Sequence, residues 1–192
     1  MRLAPLPDDR WDDRVREVLA VITPPHRRNP VGAGNALATM VRHPDLTEAF
    51  LVFSKHLMMG STLPARLREL VILRIAQRRE CAYEWRHHVG WATRFGLTEA
   101  EIEAAGAGKA IGELDAAVLS AVDELDIDSR LSDATWATLS KHLDERQRMD
   151  LIFTIGGYCM SAMAFNAFGV QTEPLPTPGP TDGVENPGTS GV

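Results

Sequence analysis

Apolar residues recur at helical spacing along nearly all of these 192 residues, and no stretch shows the strict alternation with β-branched enrichment that a half-buried sheet requires. The chain is therefore expected to be all-α. Pro, Gly and capping residues divide it. A first helix is expected from about Asp8 to Val21, ended by Thr23-Pro24-Pro25, then a loop to Gly34. Asn35 to Arg42 reads as a short helix stopped at His43-Pro44, and the next runs from Pro44 or Asp45 to about Met59. In Gly60-Ser61-Thr62-Leu63-Pro64 a hydroxyl can cap the helix expected over Ala65 to Arg78. After a break near Arg79-Glu80 another runs to about Phe95. Thr98 and Glu101 have capping-box spacing, and Gly112 to Leu125, Asp133 to His142 and Asp144 to Phe168 complete the set.

The last helix is apolar along LIFTIGGYCMSAMAFNAFGV, which predicts burial on several sides, in the core or against another subunit. Gly156-Gly157 in its middle lowers helix propensity and admits a closely packed neighbour. From Gln171 the composition shifts to a segment with five prolines and four glycines, read as an extended or disordered tail of use to neither core nor catalysis. The expected organisation is one helical domain over residues 1–170 and a tail over 171–192. A net charge of −6 without a Lys/Arg run longer than two gives no footprint for nucleic acid or an anionic membrane. No uninterrupted apolar stretch approaches the length of a membrane span, and no secretory signal is visible, so a cytoplasmic location is expected. Two cysteines, Cys81 and Cys159, far apart, suggest neither a disulfide framework nor a cysteine-rich zinc site.

The functional signal is a set of polar residues on apolar stripes. At ~100° per residue, one side of the Glu80 to Phe95 helix collects Ala82, Trp85, Val89, Trp91, Ala92 and Phe95, and Cys81, Glu84 and His88 fall within this arc at i, i+3 and i+7. On the preceding helix Glu69 opens a stripe continued by Ile72, Leu73 and Ala76. Two carboxyls, an imidazole and a thiol converging in apolar surroundings can do acid–base chemistry, because burial shifts proton affinities. The plainer alternative is that Glu84 and His88 satisfy each other, that Glu69 pairs with Arg66, and that Cys81 is a small buried hydrophobe. Trp85, beside Glu84, is a candidate pocket wall, and His87 is expected to be exposed or at an interface.

The stretch LPARLRELVILRIAQRRECAYEWRHHVGWATRFGLTEAEI resembles the core helical pair of the carboxymuconolactone decarboxylase family, which includes alkylhydroperoxidase D. The resemblance rests on Leu-Pro-x-x-x-Arg-Glu ending at Glu69, the step of twelve to Cys81, His88 seven further on, and Gly-Leu-Thr after it. It is strongest over about residues 35–105 and weaker through the last helix. It implies an alkylhydroperoxidase D-like helical bundle, a homo-oligomer (dimer, trimer or hexamer), a small-molecule substrate, and no metal or organic cofactor. Alkylhydroperoxidase D proteins carry Cys-x-x-Cys-x-x-x-His preceded by a glutamate, and their paired thiols form a disulfide. The resemblance thus assigns Glu69 and His88 to a proton relay and Cys81 to the first thiol position. Glu84 occupies the second, which removes the adjacent two-thiol mechanism. The Cys-x-x-Glu-Trp-x-x-His variant is similar to the decarboxylase-like branch, for which the resemblance implies proton donation to a dienolate carbon and stabilisation of an enolate oxygen.

Three readings follow. The leading one is a cofactor-free acid–base enzyme acting on a small oxygenated organic acid or lactone by decarboxylation, isomerisation or a related proton transfer. Glu84 and His88 are its transfer pair, Glu69 orients or relays, and Cys81 lines the pocket. The second is a peroxidase using Cys81, with an external reductant or Cys159. The third is a metal site on Glu84 and His88 completed by Cys81 or Glu69, or a non-enzymatic oligomer.

Overall fold

The computed structural model describes residues 1–110 and 112–173. Among them it contains nine α-helices and no strand. They are α1 (Asp13–Leu19), α2 (Pro30–Met40), α3 (Pro44–Lys55), α4 (Ala65–Arg78), α5 (Ala82–Arg94), α6 (Glu99–Gly106), α7 (Glu113–Asp128), α8 (Asp133–His142) and α9 (Glu145–Phe168).

Helix α4 organises the domain. It packs against α5, α6, α7 and α9, and with neighbours on four sides Leu67 through Leu73 are all buried, as are Ile75 and Ala76. A helix buried all round loses the polar face that would otherwise mark its orientation. Charged residues on it must then be paired, as in the Arg74–Asp123 and Arg66–Asp115 bridges to α7. A second, smaller core joins Leu6, Trp11, Val15, Val18 and Leu19 to Ala38, Val41 and Leu51, with α1 lying against α3.

Several helix ends differ from expectation. The first helix is split: a 3-10 turn covers Asp8–Arg10, and Asp12 caps α1 by accepting from Val15 N–H at 2.9 Å. Helix α2 begins at Pro30 rather than after a loop, because Asn29 caps it through Gly32 N–H. It then breaks at Gly34, whose φ of +76° no helix tolerates. Helix α3 gives way to a π-helical turn over His56–Gly60. No hydroxyl caps α4: Thr62 instead donates its N–H (2.6 Å) and Oγ1 (2.7 Å) to Asp150, which also holds His56, tying this turn to α9. The Thr98/Glu101 capping box is formed, and Asp144 with Gln147 makes another at the start of α9.

Helix α9 is buried on one side only. Leu151, Ile155, Cys159 and Ala162 face the core, whereas Met149, Phe153, Met160 and Met163 are exposed. An 18-residue window of this helix is apolar enough to cross a membrane by length and composition, which the count of uninterrupted apolar residues missed; 44% of it is buried within the domain. The two central glycines part company. A Cβ at Gly157 would lie 2.7 Å from Leu57 Cδ1, so this glycine lets α9 approach the π-helical turn, while Gly156 faces open space. The expected tail also needs correction at its start: Gln171 and Glu173 dock on α2 and α5. The rest of that segment lies outside the described residues.

Candidate active site

The turn between α4 and α5 sets the geometry. Glu80 adopts φ +50°, and Cys81 N–H returns to Ala76 O at 2.8 Å, so α5 folds back along α4 with Cys81 at its N-cap. Cys81 and Glu84 are buried, and the His88 side chain keeps 16% exposure. The inward row read from the spacing is present, although Ala82, placed on the same arc, is exposed.

Glu69, on α4, is buried and holds two partners. His88 Nδ1 lies 2.8 Å from its Oε2, and Arg68 Nε donates to its Oε1 at 3.3 Å. Arg68 is itself fixed, donating through Nη1 to Met58 O at 2.9 Å and lying 5.3 Å over the Phe95 ring. Nδ1 directed at the Glu69 carboxyl orients the ring and leaves Nε2 on the side away from it. The ring of Tyr158, on α9, meets His88 edge to face at 5.2 Å. Burial pushes the Tyr158 hydroxyl well above its usual range, with Glu69 adding to the shift, so it remains a proton-bearing group beside the pair.

Glu84 differs in kind. It is 3% exposed, and neither carboxyl oxygen has a hydrogen-bond partner among the described residues. Burial pushes its pKa up to about 8; the Cys81 thiol is near enough to oppose the shift without making a hydrogen bond of proper geometry. A carboxyl shifted this way holds its proton to higher pH than an ordinary glutamate, and Tyr158 of α9 lies close enough to feel its charge. Cys81 is affected the same way, its pKa raised to about 11 by burial, while the backbone N–H groups of Glu84 and Tyr83 pull down.

The two pairings of the plainer alternative are absent among the described residues. Glu84 does not satisfy His88, which turns to Glu69 instead. Arg66 does not serve Glu69; it bonds Asp115 and Glu101. Trp85, expected to wall a pocket, packs on α6, where a Cβ at Gly106 would come 2.8 Å from its ring. His87 is half-buried rather than exposed, stacked at 4.4 Å on Tyr83 and 3.5 Å from Glu173. Two hollows on the chain, one by Leu70, Glu101 and Asp115 and one by Glu124 to Ser132, are not lined by the Glu69–His88 row. Among the described residues no three His, Cys, Asp or Glu side chains are gathered so as to hold a metal ion. Cys159 neighbours Asp126, at 3.7 Å, and both cysteines are free thiols. Spacing missed Arg68 and Tyr158: each was a polar residue inside an apolar run, the signal that identified Glu69.

The sequence model of the carboxymuconolactone decarboxylase family matches residues 44–126. No curated protein sequence matches the chain. Among solved structures, the alkylhydroperoxidase AhpD core of a peroxidase-related protein from Ralstonia eutropha JMP134 superposes with a TM-score of 0.67 at 18% identity, covering 88% of this chain and 87% of that one. A peroxidase-related protein from Silicibacter sp. TM1040 gives 0.68 at 16% identity, with coverage of 88% and 87%. A cysteine-to-alanine variant of the debrominase Bmp8, in complex with 2,3,4-tribromopyrrole, gives 0.68 at 18% identity, with coverage of 90% and 92%. At such identities the likeness is one of fold. The fold is thus that of the alkylhydroperoxidase D-like proteins, and the segment over residues 44–126, which matches the carboxymuconolactone decarboxylase family, carries Glu69, Cys81, Glu84 and His88.

Proposed function

We propose that the protein is a cofactor-free acid–base enzyme that moves a proton on a small oxygenated organic acid or lactone, by decarboxylation, isomerisation or a related step. The observation that carries this reading is Glu84: a buried carboxyl with no hydrogen-bond partner among the described residues, its pKa pushed up to about 8 by burial, one helical turn from an imidazole held by Glu69. A protonated acid one helical turn from an oriented imidazole is what enolate chemistry needs. Glu84 is the general acid that protonates the developing enolate or dienolate. His88 Nε2 is the base, Glu69 and Arg68 hold its orientation, and Tyr158 is a further hydrogen-bond donor at the site.

This assignment separates Glu84 and His88 into two roles. The buried row requires an opening at the α5–α9 seam, or a pocket completed by another subunit. The exposed apolar face of α9, with Met149, Phe153, Met160 and Met163, supports a homo-oligomer. A peroxidatic role for Cys81 is the weaker reading, since a buried thiol with its pKa near 11 supplies little thiolate.

The test is a panel of small 2-oxo acids, β-oxo acids and unsaturated lactone acids incubated with the enzyme in D2O, following CO2 release and carbon-bound deuterium by NMR. Glu84→Gln and His88→Ala each should lower the rate on any accepted substrate by about a hundredfold or more. Turnover unchanged in both variants would remove the assignment.

A further inference from the structure

The start of the C-terminal segment carries an acidic side chain into a cluster of donors. Glu173 Oε1 accepts from Tyr83 Oη at 3.0 Å and from Asn35 N–H at 3.3 Å, and His87 Nε2 is 3.5 Å away. Asn35 Nδ2 holds the same segment by donating to Gln171 O at 2.9 Å. Gly34 makes the space. A Cβ there would lie 2.5 Å from Glu173 Oε1 and 3.2 Å from Tyr83 Oη, and its φ of +76° is one that other residues rarely adopt.

The seat is imperfectly filled. The donors named converge on one carboxylate oxygen; among the described residues Glu173 Oε2 is buried with no partner, and His87 Nε2 makes no hydrogen bond of proper geometry. A carboxylate offers two acceptor oxygens, so an occupant free to rotate could use both and relieve an unpaired polar group that costs stability where it is. Burial pushes the Tyr83 hydroxyl upward, so this group stays a donor across the working pH range. Tyr83 and His87 lie on the same helix as Glu84 and His88, on a neighbouring face.

We propose that Gly34, Asn35, Tyr83 and His87 form a carboxylate-binding site, occupied at rest by Glu173 of the chain's own C-terminal segment and filled by the carboxylate of a small organic acid when that segment leaves. The identification of the ligand as substrate rests on the acid–base reading above; the site itself does not. With the segment seated, Glu173 acts as an intramolecular competitor for that carboxylate. Gly34 and Asn35 fix the backbone donor, Tyr83 supplies the neutral donor and His87 the polar ring beside it.

The experiment is calorimetric titration of the full-length protein with benzoate as probe and benzamide as neutral control. Glu173→Ala should bind benzoate about tenfold or more tightly than the parent, since the competitor is gone, while benzamide binds neither. Adding Tyr83→Phe to Glu173→Ala should abolish the gain. Glu173→Gln, which keeps the side chain's size, should show a smaller gain of the same sign and guards against a folding defect in the alanine variant. Equal benzoate affinity in parent and both Glu173 variants, a gain that survives Tyr83→Phe, or destabilised variants that bind no benzoate would overturn the proposal and leave Glu173 a structural anchor. The readout is binding, so it stands or falls apart from turnover. A benzoate gain with no effect of Glu84→Gln on any reaction would remove only the catalytic reading.

Discussion

His88 turns Nδ1 to Glu69 at 2.8 Å and so leaves Glu84, one turn earlier on its own helix, without a partner. Two neighbouring carboxyls thus have opposite circumstances. Glu69 faces an imidazole and a guanidinium, whereas Glu84 has no hydrogen-bond partner among the described residues and burial favours its protonated form.

The Glu69–His88 pair should be costly to break from the Glu69 side. Glu69→Gln removes the negative charge facing Arg68 and His88 and leaves one acceptor oxygen where there were two, and removal of one partner from a buried charged pair costs about 3 to 5 kcal/mol. His88→Ala should cost less, since Glu69 keeps Arg68. Urea denaturation of the two single variants and the double variant gives the coupling; equal costs for both, or additive ones, would contradict the geometry.

The raised pKa of Glu84 predicts a pH dependence of stability. The folded state holds this proton up to about pH 8, whereas an unfolded glutamate releases it near 4.5. The contribution is therefore fully present below the unfolded value, and falls by about 1.4 kcal/mol per pH unit as pH rises towards 8, then levels off. Glu84→Gln should flatten this part of the pH–stability curve, measured by thermal unfolding from about pH 5 to 9. A slope unchanged by the substitution would exclude Glu84 as its source.

Most of the architecture could be read from spacing because the helices announce their ends. The Ala65–Arg78 and Asp133–His142 bounds agree with the structure, as do the Thr98/Glu101 capping box and the break before Cys81. Where reading failed, a residue from a distant element had intervened. Asp150 takes the hydroxyl that was expected to cap α4. Glu173 gives structure to the start of a Pro/Gly-rich tail. Helical angle placed Glu69, Glu84 and His88 inside, but angle alone cannot say which buried acid an imidazole chooses. That depends on how α4 crosses α5, and the crossing brings Glu69 rather than Glu84 to Nδ1.

Cys81 should be chemically quiet. With the thiol buried and its pKa near 11, native protein at pH 7 should resist both iodoacetamide and mild peroxide, while denatured protein is alkylated at once. Mass spectrometry of Cys81 decides this; rapid sulfenic acid formation in the native state would favour the thiol chemistry instead.

Gly34→Ala combines a strained backbone with a collision against Glu173. A loss of about 1 to 3 kcal/mol is expected, and Glu173→Ala in the same chain should recover part of it by removing the colliding carboxylate. Thermal unfolding of the three variants measures the recovery. No recovery would mean that Glu173 does not sit over Gly34 in solution.

The most direct test of the acid–base account is a titration of the Glu84 side-chain carboxyl by carbon-13 NMR, with Glu84→Gln used for assignment. An apparent pKa close to 8 would establish a carboxylic acid kept neutral at physiological pH beside an oriented imidazole. A midpoint between 4 and 5 would show an ordinary ionised carboxylate, and the general acid on which the proposed chemistry depends would not exist.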